Sequence, residues 1–373
     1  MNIKEQLKKY LHVIVLVVSL LLYLLAIFSP RIFSFVYPQI IYKICSQGFS
    51  HLFALIPFSF SELILFLLPV YVLYLLGKGL YLWVMSSEGT GKYWRYIGQC
   101  SLKWICYLIS FFLLTAGVNY HRTPLVQYLG LEVEPVQKEE LMQLCLYLVD
   151  KTNSAAMQSN RNREGRFIPK LTFSKNIMLI NNSYDSLSIH YPACKGRYPS
   201  SKPLVSSYWV SYAHIMGFFF PFTFEVNINK DIPDFLIPAV IAHEQAHIRG
   251  FMREEEAEYA VYILARYTKN TELQYSFYIS TLIRAMNALY SMDMALYRKL
   301  TDDFSVFLRI DLNSYYEYWR AFQSPISALS RTINDAYLKA NSQSKGVQSY
   351  GRVVELLMAD YKQEQTIKAY EYQ

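Results

Sequence analysis

Apolar residues crowd the first third of the chain and alternate with polar ones thereafter. No charge falls between Lys9 and Arg31, and Leu11 to Phe28 is almost unbroken Leu, Val and Ile. A second apolar run follows Glu62, from Leu63 to Gly77, with Lys78 placed to snorkel and Tyr81 and Trp83 at an interface. A third runs from Trp104 to about Asn119, uncharged between Lys103 and Arg122. A helix rises about 1.5 Å per residue, so roughly 20 such residues cross a bilayer's hydrocarbon core. The runs predict transmembrane helices over about 11–29, 60–82 and 102–119. A cleaved signal peptide would also begin with lysines, but Ala26-Ile27-Phe28-Ser29-Pro30 is a poor small-x-small cleavage site. Residues 30–61, aromatic and interrupted by Pro38 and Pro57, stay open as an interfacial or re-entrant segment.

Past residue 120 the periodicity is that of a folded polar domain. Leu141, Leu144, Leu148 and Val149 predict an amphipathic helix over 137–157. Gln158 to Gly165 reads as a surface loop, and 167–227, broken by Pro192, Pro199 and Pro203, as a few short strands. Helical patterns then cover 236–249, 253–268, 272–298, roughly 300–322 and 325–341, with a last helix after Gly351. The division is a membrane part over 1–120 and an outer domain over 121–373.

Composition supports that division. Hydrophobic residues make up 53% and charged ones 17%, against about 25% charged in a soluble chain. That excludes disordered, collagen-like and disulfide-knot proteins. The net charge of +7 is spread along the chain without a basic run, so no nucleic-acid partner is expected. Five cysteines include no Cys-x-x-Cys pair; Cys145 and Cys194, in the outer domain, are either one disulfide or two buried thiols. Lys4, Lys8, Lys9, Lys78, Lys92, Arg95 and Lys103 on one side oppose Arg31 and Lys43 on the other, which places the N-terminus in the cytoplasm and everything after Asn119 outside.

One string carries chemistry: His243-Glu244-Gln245-Ala246-His247-Ile248-Arg249-Gly250. Two histidines four apart share a helical face, so both imidazoles reach a single Zn²⁺. The adjacent Glu244 serves as general base toward zinc-activated water and then as acid toward the leaving amine. Two incidental histidines are the plainer alternative, but the apolar approach Phe235-Leu236-Ile237 buries this helix, and buried imidazoles without a metal are costly. Gly250 reads as a left-handed cap. Glu254, Glu255, Glu256 and Glu258 follow in the next helix, their charges suited to its N-terminal dipole. A tight hairpin sets the start of that helix against His247, so Glu254 is the third ligand. Glu258, one turn on, orients His243 through its other ring nitrogen or substitutes as a ligand. A metzincin's third histidine would fall at position 253, which is Arg253.

The sequence resembles the bacterial membrane family catalogued as domain of unknown function 3810. The resemblance runs through Asn119-Tyr120-His121-Arg122-Thr123-Pro124-Leu125, Gly217 to Thr223 with Glu225 and Asn227, and His243-Glu244-x-x-His247-x-x-Gly250. It continues through Arg253-Glu254-x-Glu256-Ala257, Tyr275-Ser276-x-Tyr278 and the tail Gly346-x-x-Ser349-Tyr350-Gly351. It implies a gluzincin-like zinc peptidase and supplies no substrate. The family usually reads Asn-Phe where this chain has Glu258-Tyr259, which adds a charge and a competing ligand.

The sequence is therefore read as a mainly α membrane protein: three N-terminal transmembrane helices, then an α-rich α+β zincin-like domain with a few short strands. The expected activity is zinc-dependent hydrolysis of a peptide or protein substrate at the lipid bilayer. A zinc-binding sensor and a non-catalytic structural membrane protein are the alternatives. Around the motif, Phe222 to Asn229 reads as either a substrate-holding edge strand or a core strand. Tyr275 and Tyr278 are weak candidates for oxyanion stabilisation, and His214 reads as a packed histidine rather than a ligand.

Overall fold

The computed structural model describes residues 3–29, 33, 36–85, 87–341, 343 and 352–371. Its first third is built on three long helices, α1 (Ile3–Phe28), α3 (Phe60–Met85) and α4 (Ser87–Thr115), with the shorter α2 (Lys43–Ala54) between the first two. The segments Leu7–Phe28, Phe60–Met85 and Gly89–His121 are each long and apolar enough to cross a membrane. Leu21, Leu73 and Trp83 are among many large apolar side chains they expose, a surface that suits lipid rather than water. The chain is thus marked as membrane-associated. The third helix starts earlier than the hydropathy predicts: Lys92 and Arg95 lie on its first turns rather than in a loop, because no proline intervenes and only its second half is apolar.

Residues 37–61 fold into the polar half. A π-helical turn, Tyr37–Tyr42, leads into α2 (Lys43–Ala54). The buried Tyr42 hydroxyl donates to the Ile248 carbonyl at 3.2 Å, and Ser50 donates to Ser200 at 2.9 Å. Helix α3 (Phe60–Met85) follows. Ser59 caps it by accepting the Glu62 amide at 2.9 Å. The Phe60 and Ser61 amides donate to the Glu225 carboxylate at 3.0 and 2.7 Å. A carboxylate there satisfies open helix-end donors and the positive end of the dipole. The Lys202 ammonium completes the group, 2.6 Å from Glu225. Burial works to raise the Glu225 carboxyl's pKa, but Lys202 and the Ser61 hydroxyl outweigh it and hold the pKa below its ordinary value. Glu62 in turn accepts the Val205 and Ser206 amides at 3.0 and 2.7 Å.

The remaining chain runs through a 3₁₀ turn (Gly117–His121), α5 (Leu125–Leu129), α6 (Lys138–Gln158), α7 (Phe173–Leu187), β1 (Ser201–Pro203), α8 (Ser207–Ser211), β2 (Gly217–Phe220) and β3 (Glu225–Ile228). Then come α9 (Ile237–Ile248), α10 (Glu254–Tyr267), α11 (Thr271–Met292), α12 (Met294–Thr301), α13 (Val306–Ala321), α14 (Pro325–Ala340) and α15 (Arg352–Glu371). The sheet order is β1-β3-β2, with β1 parallel and β2 antiparallel to β3. Helix α9 lies on β2 and β3 and packs against α7, α10 and α11, while α6 packs along α11. Leu141, Leu144 and Leu148 of α6, with Ile279 and Leu282 of α11, belong to one buried core.

Two expectations change. Helix α7 stands where only strands were read: Phe173, Ile177, Ile180, Tyr184 and Leu187 keep helical spacing, obscured by the Asn and Ser residues between them. The predicted 272–298 helix breaks at Asp293, whose carboxylate caps α12 through the Ala295 and Leu296 amides. Of the two readings of Phe222 to Asn229, the core strand is the one seen: β3 (Glu225–Ile228) is central, and the edge beside α9 is β2. Cys145 and Cys194 are free, buried thiols. The tail motif Gly346 to Gly351 lies outside the described residues.

Candidate metal centre and cleft

Pro238 near the start of α9 and the left-handed Gly250 after its end bound a helix of twelve residues. The Phe251 amide donates back to the Ala246 carbonyl at 3.1 Å, the backward bond of a Schellman cap. A Cβ at Gly250 would stand 3.1 Å from Arg122, Asn119 and Tyr42 atoms, so the turn is also closely packed. Arg249 anchors this end. Its guanidinium lies 3.8 and 4.7 Å from the Tyr184 and Tyr198 ring centres and donates to the Cys194, Gly196 and Gln245 carbonyls.

The tight turn sets α10 beside α9, and three side chains converge. The Nε2 atoms of His243 and His247 are 3.1 Å apart. Glu254 places one oxygen 3.2 Å from His243 Nε2 and the other 3.8 Å from His247 Nε2. Donors held tetrahedrally at about 2.0–2.1 Å from one zinc ion stand roughly 3.3 Å apart, so this donor set fits such an ion. The tautomer fits as well: His247 Nδ1–H donates to the Phe251 carbonyl at 2.8 Å, leaving the Nε2 lone pair for the centre. His243 Nδ1 is buried without a hydrogen-bond partner. Its nearest carboxylate, Glu258, stands 3.6 Å away and accepts from Arg284 at 2.5 Å. Glu258 thus lies beside the outer ring nitrogen of His243, beyond hydrogen-bond distance, with its charge shared by Arg284.

Charge is concentrated here. Burial disfavours a proton on His243, but Glu258, Glu254 and Glu244 outweigh it and raise its pKa to about 9. Burial and the neighbouring His243 lower His247, against the opposing pull of Glu254. Burial alone would raise Glu254, but the two histidines hold it down to about 2. Burial pushes Glu244 up to about 8, with His243 opposing and Glu254 adding.

A cleft of about 740 Å³ opens over the cluster. His243, Glu244, His247, Glu254 and Glu258 line one side, β2 a second, and α14 a third. A Cβ on Gly217 would stand 3.0 Å from Glu244 Cγ and 2.8 Å from Val240, so only glycine lets the strand lie this close. His214 lines the cleft away from the cluster, its Nε2 3.1 Å from the Phe322 carbonyl. The two tyrosine candidates fall elsewhere. The Tyr275 hydroxyl is committed to Asp311, which also pairs with Arg161. Tyr278 packs against the outer side of the core, near Arg266 and Glu364. Neither lines the cleft, since both helical faces turn toward buried networks rather than α9.

A family profile described as "Protein of unknown function (DUF3810)" matches residues 37–358. The chain belongs to this family. No curated protein and no solved structure matches it. Several segments of the matched region surround the motif helix. Arg122 stacks 4.2 Å over the Phe251 ring and donates to the Arg249 carbonyl, Gly217 to Phe220 form the cleft strand, and Glu256 accepts the Leu125 amide at 2.6 Å. Sequence reading missed Arg284 and the β2 edge. The glycine opening the Phe218-Phe219-Phe220 run was the available sign of close backbone approach.

Proposed function

We propose that this chain is a membrane-anchored zinc metallopeptidase of the gluzincin type, with an extracytoplasmic catalytic domain that hydrolyses peptide bonds. The observation that carries this reading is the convergence of His243, His247 and Glu254 beside Glu244 in an open cleft. His243 Nε2, His247 Nε2 and the Glu254 carboxylate would hold the ion. Bound zinc would supply Lewis acidity toward the scissile carbonyl and toward water.

The chain's own groups do the rest. Glu244 takes a proton from the attacking water and returns it to the leaving amine. The outer edge of β2, where the Phe219 backbone hydrogen-bonds Glu244, is the natural seat for substrate. The Met216 carbonyl accepts the Asn229 amide on the β3 side, so alternation turns the Gly217 and Phe219 backbone groups toward the cleft. An extended peptide pairing there lies directly over Glu244.

Metal content and peptide cleavage of the purified protein test the reading. The parent should hold one zinc per chain and cut peptides. Glu244→Gln should hold zinc and cut nothing, and His243→Ala should lose both properties. Equal zinc loss in Glu244→Gln and His243→Ala would refute the assigned roles. For topology, a reporter fused after residue 130 should act outside the cell; cytoplasmic activity there would reverse it.

A further inference from the structure

The cleft has one end among the apolar helices. Ala116 and Tyr120, immediately beyond α4, line the same cavity as His243. The β2–β3 turn reaches the helices as well: the Phe222 ring stacks on Phe111 of α4 at 5.9 Å and packs tilted against Phe220 at 5.3 Å. Opposite, Tyr337 of α14 packs edge-on against Phe112 of α4 at 6.4 Å and meets the Tyr120 hydroxyl at 3.3 Å. Both long walls of the cleft, β2 and α14, therefore touch the end of the third apolar helix.

Apolar side chains reach the rim at that end. Ile333 on α14, about one turn before Tyr337, is more than half exposed and lines the cavity beside Arg331 and Asn334, and the exposed Leu329 and Ile326 continue its helical stripe away from α4. Pro221, just past β2, lines the same cavity. Along β2 the step from Gly217, beside Glu244, to Phe220 is three residues, or about 10 Å of extended chain. A strand laid along β2 over Glu244 thus emerges at the level where α4 becomes apolar.

We infer that the substrate is a membrane-tethered polypeptide, taken as an extended juxtamembrane segment and cut about three to six residues from its own apolar anchor. This rests on the peptidase reading and on α1, α3 and α4 crossing the bilayer. A free soluble peptide has no use for an apolar rim at the anchored end of the cleft. A tethered one arrives there already confined to the membrane plane, which raises its effective concentration.

The test uses the full chain in phospholipid vesicles with a mixed-sequence decapeptide library, presented free or fused to a single poly-Leu/Ala helix. Cleavage sites are read by mass spectrometry, with Glu244→Gln as the blank. A photocrosslinking residue in place of Ile333, in the Glu244→Gln background, reports docking independently of turnover. The expected result is Glu244-dependent cleavage about tenfold or more faster for the tethered library, with cuts clustered near the anchor and crosslinks to tethered peptides only. Equal rates for both libraries, or cuts spread evenly along the segment, would overturn the inference and leave the peptidase reading intact. Crosslinks to the tethered library without any cleavage would uphold the docking and sink the peptidase reading. Absence of both cleavage and crosslinks would overturn the inference.

Discussion

Replacing Glu225 with Gln keeps the shape of the side chain and removes its charge. Glu225 is fully buried and accepts from Lys202 at 2.6 Å, Ser61 at 2.7 and 2.5 Å, Phe60 at 3.0 Å and Thr223 at 2.8 Å. The amide offers one acceptor oxygen in place of two and leaves the Lys202 ammonium, itself buried, with only the Phe53 and Phe58 carbonyls. Breaking a buried ion pair from one side typically costs about 3–5 kcal/mol, because the surviving charge is stranded. For a chain of this size that corresponds to a midpoint lower by something on the order of 5–15 °C. Thermal unfolding in detergent, followed by tyrosine and tryptophan fluorescence, reads the shift. Removing the stranded charge as well, in Glu225→Gln with Lys202→Met, should recover more than half of the loss. The sign with pH follows from the depressed carboxyl pKa. The pair's stabilisation is present above the ordinary carboxylate range and lost as pH falls through the depressed value, so the single variant should lack that part of the acid sensitivity. Single variants costing under about 1 kcal/mol, or a double variant whose losses simply add, would refute the account.

Glu254→Gln should weaken zinc binding severely, whereas Glu258→Asn should retain most of it and Glu258→Ala should lose about 10–100-fold, as behind-the-ligand changes do; competitive chelation ranks the three, and the reverse order would exchange the two roles. Gly250→Ala places a Cβ on a residue at φ 90° within 3.1 Å of three neighbours, so it should cost at least about 1–2 kcal/mol, seen as a lower unfolding midpoint. Gly217→Ala sets a Cβ 2.8 Å from Val240 and 3.0 Å from both Glu244 Cγ and the Asn227 carbonyl, so it should lower the unfolding midpoint and cleavage together; an unchanged midpoint and turnover would show that the strand need not lie so close.

The three apolar helices and most helices of the second half were legible because each rests on local periodicity. The centre was legible for the same reason: His243 and His247 are one turn apart, and Gly250 signals a turn short enough to return Glu254. What stayed hidden depends on residues distant in sequence. The ion pairs Arg284–Glu258 and Lys202–Glu225 leave no periodic trace. The choice between β2 and β3 as the edge needs the position of β1, 14 residues before β2. The early segment 37–54 carries a helical pattern with no mark of the carbonyls its Tyr42 meets.

That meeting of Tyr42 with Ile248 has a consequence for how the protein is made. The two residues are 206 positions apart, so a growing chain emerges with its first apolar helices long before the histidine helix exists. When α9 is finally synthesised, the site that receives its end is already fixed beside α3 and α4. A piece beginning at residue 121 would contain both histidines of the cluster and Glu244, Glu254 and Glu258, yet leave the Ile248 carbonyl without the Tyr42 hydroxyl and the Tyr198 hydroxyl without Ser46, 3.2 Å away. Assembly of the cluster is thereby tied to the arrival of the early helices in their final place.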